Sequence, residues 1–139
     1  MKRLFPLVLL GSLLIAPLTA SIANAQTALP QPNSDGDYTD RGQIRWQVVD
    51  PDPNGLNCRW SASNPREWYS PAANFPMNVT QWAAVRRFPA GTVLTANTTP
   101  AGFALMFDTR NKPWVKVSIG SNDEICLVRA NRQFIRPIN

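Results

Sequence analysis

From residue 44 onward, apolar and polar positions follow one another in short runs rather than in a helical rhythm. Leu56, Cys58 and Trp60 alternate with Asn57, Arg59 and Ser61. A repeat of two puts three apolar side chains on one face and three polar ones on the other, the pattern of a half-buried strand. Ile44 to Asp50 alternates well enough to predict a first strand before it. Pro51-Asp52-Pro53-Asn54-Gly55 breaks that strand with two prolines and an Asn-Gly turn, at which the chain reverses. After Gln81, further strands are predicted over Trp82 to Phe88, Thr92 to Ala96, Phe103 to Phe107, Trp114 to Ile119 and Ile125 to Val128. Turn residues at 89–91, 97–102, 108–113 and 120–123 separate them. A tight turn at Ala130-Asn131-Arg132 then leads to a last strand, Phe134 to Ile138. Short strands at this spacing, with Gly and Pro turns between them, predict an all-β barrel or sandwich.

Two stretches depart from this pattern. Residues 26–43 are polar and punctuated by Pro30, Pro32 and Asn33-Ser34-Asp35-Gly36-Asp37, a composition that buries too little apolar area to offset ordering entropy. They are read as a flexible linker, with the folded domain spanning 44–139. Asp35, Asp37 and Asp40 echo the start of a calcium loop, but no bidentate glutamate follows at the required distance. The second stretch, Asn64 to Val79, carries Pro65, Pro71 and Pro76 among Arg66, Trp68, Tyr69, Phe75 and Met77. Loops longer than about 12 residues without structure of their own are uncommon in compact domains and are often functional. Its aromatic residues either fold back on one end of the core or form a ligand surface, since aromatic rings serve both ends.

The start of the chain changes the picture of where the protein works. Lys2 and Arg3 precede an apolar run from Leu4 to Leu18, and Ala23-Asn24-Ala25 follows. This is the build of a secretory signal over residues 1–25, cleaved between Ala25 and Gln26. The alternative is a membrane anchor, but Pro6, Gly11 and Pro17 interrupt a run shorter than the roughly 20 apolar residues a span needs. A secreted or periplasmic monomer without a membrane anchor is expected. Removing Lys2 and Arg3 from 14 basic residues leaves 12 against 9 acidic ones, so a net charge of +5 falls to +3. The remaining arginines are scattered without a run, which argues against a nucleic-acid partner. Two cysteines in an exported chain favour one disulfide, Cys58 to Cys126. Two buried free thiols or a metal-binding thiol pair are the alternatives, although with no histidine in the chain the common Cys/His zinc sites cannot be assembled.

Gly55-Leu56-Asn57-Cys58-Arg59, then Phe88-Pro89-Ala90-Gly91-Thr92-Val93-Leu94, then Pro113-Trp114-Val115-Lys116-Val117, and a closing turn before Phe134-Ile135 together resemble the bacterial SH3-like (SH3b) domain. That family shows a Leu-Asn-Val-Arg strand, a Lys-Gly-Thr-x-Leu diverging turn, a Trp-x-Lys-Val strand and a final aromatic-aliphatic pair, in that order. The resemblance covers about Val48 to Ile138 and implies a small SH3-like β-barrel. It also places both cysteines at strand positions that the family fills with hydrophobes, consistent with a bridge between two strands. The Gly-Pro that usually follows the first motif is replaced by Trp60-Ser61-Ala62-Ser63 and the long loop, and the usual Gly-Trp of the penultimate strand by Ile125-Cys126. The fold expected is therefore an SH3-like barrel with one long loop insertion, stapled by one disulfide.

No catalytic arrangement is legible. Without histidine there is no Ser-His-Asp or Cys-His set, and paired cysteines leave no thiolate. Asp50 and Asp52, Asp123 and Glu124, and Glu67 and Asp108 are carboxylates in turns and loops, where they serve more often as turn formers than as an acid and base pair. No glycine-rich phosphate loop occurs, and no cofactor or metal is expected. Asn78-Val79-Thr80 and Asn97-Thr98-Thr99 match the glycosylation acceptor pattern, which arises often by chance. A non-catalytic binding module is expected, taking cell-wall (peptidoglycan) peptide or a protein segment on an aromatic surface of Trp60, Trp68, Tyr69 and Trp82, with Arg59 or Arg66 answering a carboxylate. The alternative is a small secreted inhibitor or effector whose proline-rich loop inserts into an envelope protein.

Overall fold

The computed structural model describes residues 28–60, 78–98, 102, 104–120 and 124–139. The leader through Ala25 and positions 64–77 of the long loop lie outside the described residues. Within them the chain is all-β. Its eight strands are β1 Arg45–Val48, β2 Leu56–Trp60, β3 Ala83–Phe88, β4 Val93–Thr95, β5 Leu105–Phe107, β6 Pro113–Ser118, β7 Ile125–Arg129 and β8 Ile135–Pro137. All strand pairs are antiparallel. They form a three-stranded sheet, order β4-β1-β8, and a five-stranded sheet, order β3-β2-β7-β6-β5. An isolated bridge between Ala96 and Val117 joins the two, but the sheets are not closed into a barrel.

The two-residue repeat explains how the larger sheet is buried. On β6 and β7, Val115, Val117, Cys126 and Val128 face the three-stranded sheet, where they pack with Trp46, Val48, Leu94 and Ile135. Trp114 and Leu127 point the other way and pack with Val79, Trp82 and Met106. A strand covered on both faces shows a nearly continuous buried run instead of alternation, as Pro113 to Val117 and Ile125 to Val128 do. Each large aliphatic side chain taken fully out of water contributes roughly 1.5–3 kcal/mol. The second face is capped by a 3-10 turn, Val79–Gln81, whose N-cap Asn78 accepts from the Thr80 amide through its side chain.

The bridge between Cys58 and Cys126 ties β2 to β7, with Cα atoms 5.4 Å apart, and both cysteines are fully buried. β2 and β7 pair only at Arg59 and Leu127. On the other side of β2 the register with β3 slips. Cys58 faces Arg86 while Arg59 faces Ala84, so Val85 is an extra residue of the kind that twists an edge strand.

Two sequence expectations are corrected. The turn before β2 forms, with the Gly55 amide donating to the Asp52 carbonyl at 2.9 Å, but β1 and β2 belong to different sheets and are not a hairpin. The Val49 and Asp50 amides both donate to the Phe134 carbonyl, which continues the pairing of Val48 with Ile135 before the chain leaves this sheet. Gly55 allows the crossing: its φ is +84°, and a Cβ there would lie 2.7 Å from the Phe88 carbonyl oxygen.

The second correction concerns the linker, because residues 33–38 belong to the folded unit. Asn33 Oδ1 accepts from the Asp35 and Asp37 amides, Asp37 forms a bridge with Asn131, and Tyr38 is buried edge-on against Trp46 at 5.1 Å. What composition reads as a solvated turn is fixed by partners more than 90 residues away in sequence, such as Asn131 and Asp37.

Candidate functional site

The splay of β2 from β7 beyond Arg59 and Leu127 leaves a cleft of about 230 Å³, lined by Asp50, Leu56, Asn57, Arg59, Thr80, Trp114, Arg129 and Phe134. Asn57 and Arg59 alternate with the buried Leu56 and Cys58 along β2, so the strand repeat turns both polar side chains towards the second face of the large sheet. Trp114 and Arg129 are cross-strand partners on β6 and β7 and share that face. Thr80 comes from the 3-10 turn, while Asp50 and Phe134 close the end where the chain passes between sheets.

The two arginines are held differently. Arg129 uses both terminal nitrogens: its Nη1 donates to the Pro113 carbonyl at 2.7 Å and its Nη2 to Asp37 Oδ1 at 2.6 Å, while the guanidinium lies 5.9 Å from the centre of the Trp114 ring. Trp114 is fixed in turn by its Nε1, which donates to Asp108 Oδ2 at 3.1 Å. Asp108 Oδ1 accepts the Arg110 and Lys112 amides. Lys112 Nζ lies 3.8 Å from Asp37 Oδ2. Arg129 and Trp114 are thus a rigid wall. Arg59 makes one hydrogen bond, Nη1 to the Trp82 carbonyl at 2.8 Å, which orients the guanidinium and leaves Nε and Nη2 without a hydrogen-bond partner among the described residues.

Asp50 is nine-tenths buried. Its Oδ1 accepts from the Asp52 amide at 3.0 Å, the turn-forming use expected of it. It shares the cleft with Arg59, yet no ion pair joins them; among the described residues the ion pairs are those of Asp37 with Arg129 and Lys112. A cation and an anion thus line one cleft without an ion pair between them.

Of the residues singled out from the sequence, Arg59 lies in the cleft. Trp60 is half-buried at the end of β2, edge-on to Trp82 with ring centres 5.6 Å apart, and packs against both core clusters. Trp82 is corrected from surface contact to core residue: it is 5% exposed because it folds from the 3-10 turn onto Met106, Trp114 and Leu127. Arg66, Trp68 and Tyr69 lie outside the described residues. The sequence reading missed Asp50, Asn57, Thr80, Trp114, Arg129 and Phe134 as site residues. One signal for part of this set was present. A bridge from Cys58 to Cys126 brings Arg59 opposite Leu127, and the strand repeat then places Arg129 on the same face. Among the described residues no group of three His, Cys, Asp or Glu side chains comes together to hold a metal.

Compared with models of known protein families, with curated proteins and with solved structures, the chain matches none.

Proposed function

We propose that this protein is an exported, non-catalytic binding module of the SH3-like type that takes a carboxylate-bearing peptide of the cell wall in the cleft between β2 and β7. The observation that carries the reading is the pairing of opposite charges, Arg59 and Asp50, in one cleft without an ion pair between them. Arginine with free donors suits a carboxylate. The half-buried Phe134 ring suits the apolar part of an extended ligand.

Support for the SH3-like type comes from where the motifs fall. Leu56-Asn57-Cys58-Arg59 lies on β2, Pro89-Ala90-Gly91-Thr92 connects β3 to β4, Trp114-Val115-Lys116-Val117 lies on β6, and Phe134-Ile135 opens β8. Support for a non-catalytic role comes from the use of Asp50, Asp52 and Asp108 to accept backbone amides in turns and from the absence of histidine. Export is supported by the leader and by a disulfide, which persists in oxidising compartments. Among the described residues no helix is long and apolar enough to cross a membrane. The inhibitor alternative rests on the loop 64–79, of which only Asn78 and Val79 are among the described residues.

Retention on purified wall sacculi tests the reading. The wild-type protein should be retained above a denatured control, and Arg59→Met should reduce retention with no loss of fold. Equal elution of native and denatured protein would remove the wall as ligand.

A further inference from the structure

The geometry points to a zwitterionic amino-acid head as the group the cleft reads: a carboxylate held by Arg59 and the ammonium on the same carbon held by Asp50. This deepens the wall-peptide reading and rests on it for the source of the head.

Asp50 sets the ammonium half. A carboxylate offers about four acceptor positions, and this one, nine-tenths buried, uses Oδ1 on a single amide. Its Oδ2 has no hydrogen-bond or ion-pair partner among the described residues. Asp50 lines the cleft, so this oxygen is available to accept from an ammonium there. Arg59 sets the carboxylate half, with Nε and Nη2 free to form a two-point contact.

Arg129 excludes other ligand classes. Both of its Nη atoms are already committed, to Pro113 and Asp37, so Arg59 is the guanidinium of the cleft with two nitrogens still open to a two-point contact. A phosphate or a second carboxylate would meet Asp50 with no further cation to balance it. A purely cationic ligand would meet Arg59.

Size narrows the choice further. The cleft, about 230 Å³ and open on one side, has room for one amino-acid head. Residues inside a peptide chain have lost both charges to amide bonds. A diamino acid with two carboxyl groups, joined to a wall stem peptide through one end, still carries an intact ammonium and carboxylate on one carbon at the other. The half-buried Phe134 ring then meets its methylene chain.

The test is isothermal titration of the full mature protein with four probes: a synthetic stem peptide ending in such a diamino acid, its head-carboxamide form, its head-N-acetyl form, and the free diamino acid. The expected result is that capping either charge weakens binding by about tenfold or more, the range of a lost charge-assisted hydrogen bond. Asp50→Asn should abolish the sensitivity to acetylation and keep that to amidation, while Arg59→Met should do the reverse. Asparagine retains an oxygen for the Asp52 amide, and melting curves of both variants show whether the fold is kept. Should a variant fail to fold, the capped probes on the wild-type protein decide the matter alone.

Binding of both capped peptides within about twofold of the free one overturns the zwitterion and leaves the wall reading standing. Cap-sensitive binding of the free diamino acid, with no binding of stem peptide or sacculi, supports the zwitterion and overturns the wall. Binding of none of the probes overturns the zwitterion, and retention on sacculi then decides the wall reading separately.

Discussion

Arg129 Nη2 donates to Asp37 Oδ1 at 2.6 Å, joining the last residue of β7 to a segment that enters the fold 92 positions earlier. The same carboxylate oxygen accepts from Asn131 Nδ2 at 2.7 Å, so one aspartate fixes both the guanidinium that walls the cleft and the turn after β7. Asp37→Asn leaves a mostly buried guanidinium without its counter-charge. Removing one member of a buried pair costs about 3–5 kcal/mol. The urea midpoint should fall accordingly, and ligand affinity should fall with it, since Arg129 no longer holds its place over Trp114.

Replacing Cys58 and Cys126 together by alanine opens a loop whose ends are 68 residues apart in sequence. The chain-entropy relation puts the loss at about 4 kcal/mol. Thermal unfolding of the double variant against the oxidised wild type measures it. Intact mass after alkylation should show no free thiol in the exported protein.

Gly55→Ala should be costly for two reasons that a second glycine separates. Gly55 has φ +84° and backbone 2.7 Å from the position of a Cβ, whereas Gly91 has φ +87° and nothing within 4 Å. A left-handed conformation alone costs a non-glycine residue about 1–3 kcal/mol. Gly91→Ala should lose about that much, and Gly55→Ala more, because the Phe88 carbonyl cannot move without disturbing its pairing with Leu56.

Two buried groups predict opposite pH trends at the alkaline end. Burial lowers the Lys116 pKa from its usual 10.5, so the unfolded chain binds that proton more tightly and stability rises with pH up to 10.5. Burial raises the Tyr38 pKa above its usual 10.0, against a lowering by Arg132. The unfolded chain therefore releases that proton first, and stability falls as pH rises above 10.0. Denaturation midpoints across this range should lose the rise in Lys116→Met and the fall in Tyr38→Phe.

The strands were legible in the sequence because their cues are local: an alternation of two, prolines and glycines at the breaks, and β-branched or aromatic residues between them. Pairing was not legible in the same way. Asn54-Gly55 looks like a hairpin turn, and whether Leu56 pairs with Val48 or with Phe88 depends on carbonyls and amides contributed by distant segments. Trp82 was misread for a related reason. A tryptophan before an exposed strand carries no local sign that a second face of the sheet waits to be covered. Arg59 was picked out because its own strand set its direction, whereas Asp50 and Arg129 became site residues only through the β2 and β7 adjacency. Asp37 reads as a loop residue from the sequence because its partners, Arg129 and Asn131, follow more than 90 positions later.

The central claim is that ligand binds in the cleft between β2 and β7. Amide chemical-shift mapping of the labelled protein during titration with a soluble wall stem peptide tests it most directly. Saturable shifts are expected at Asp50, Asn57, Arg59, Thr80, Arg129 and Phe134, with the outer strand β4 unchanged. Saturable shifts confined to residues away from these six, or none at all up to saturating peptide, would contradict it.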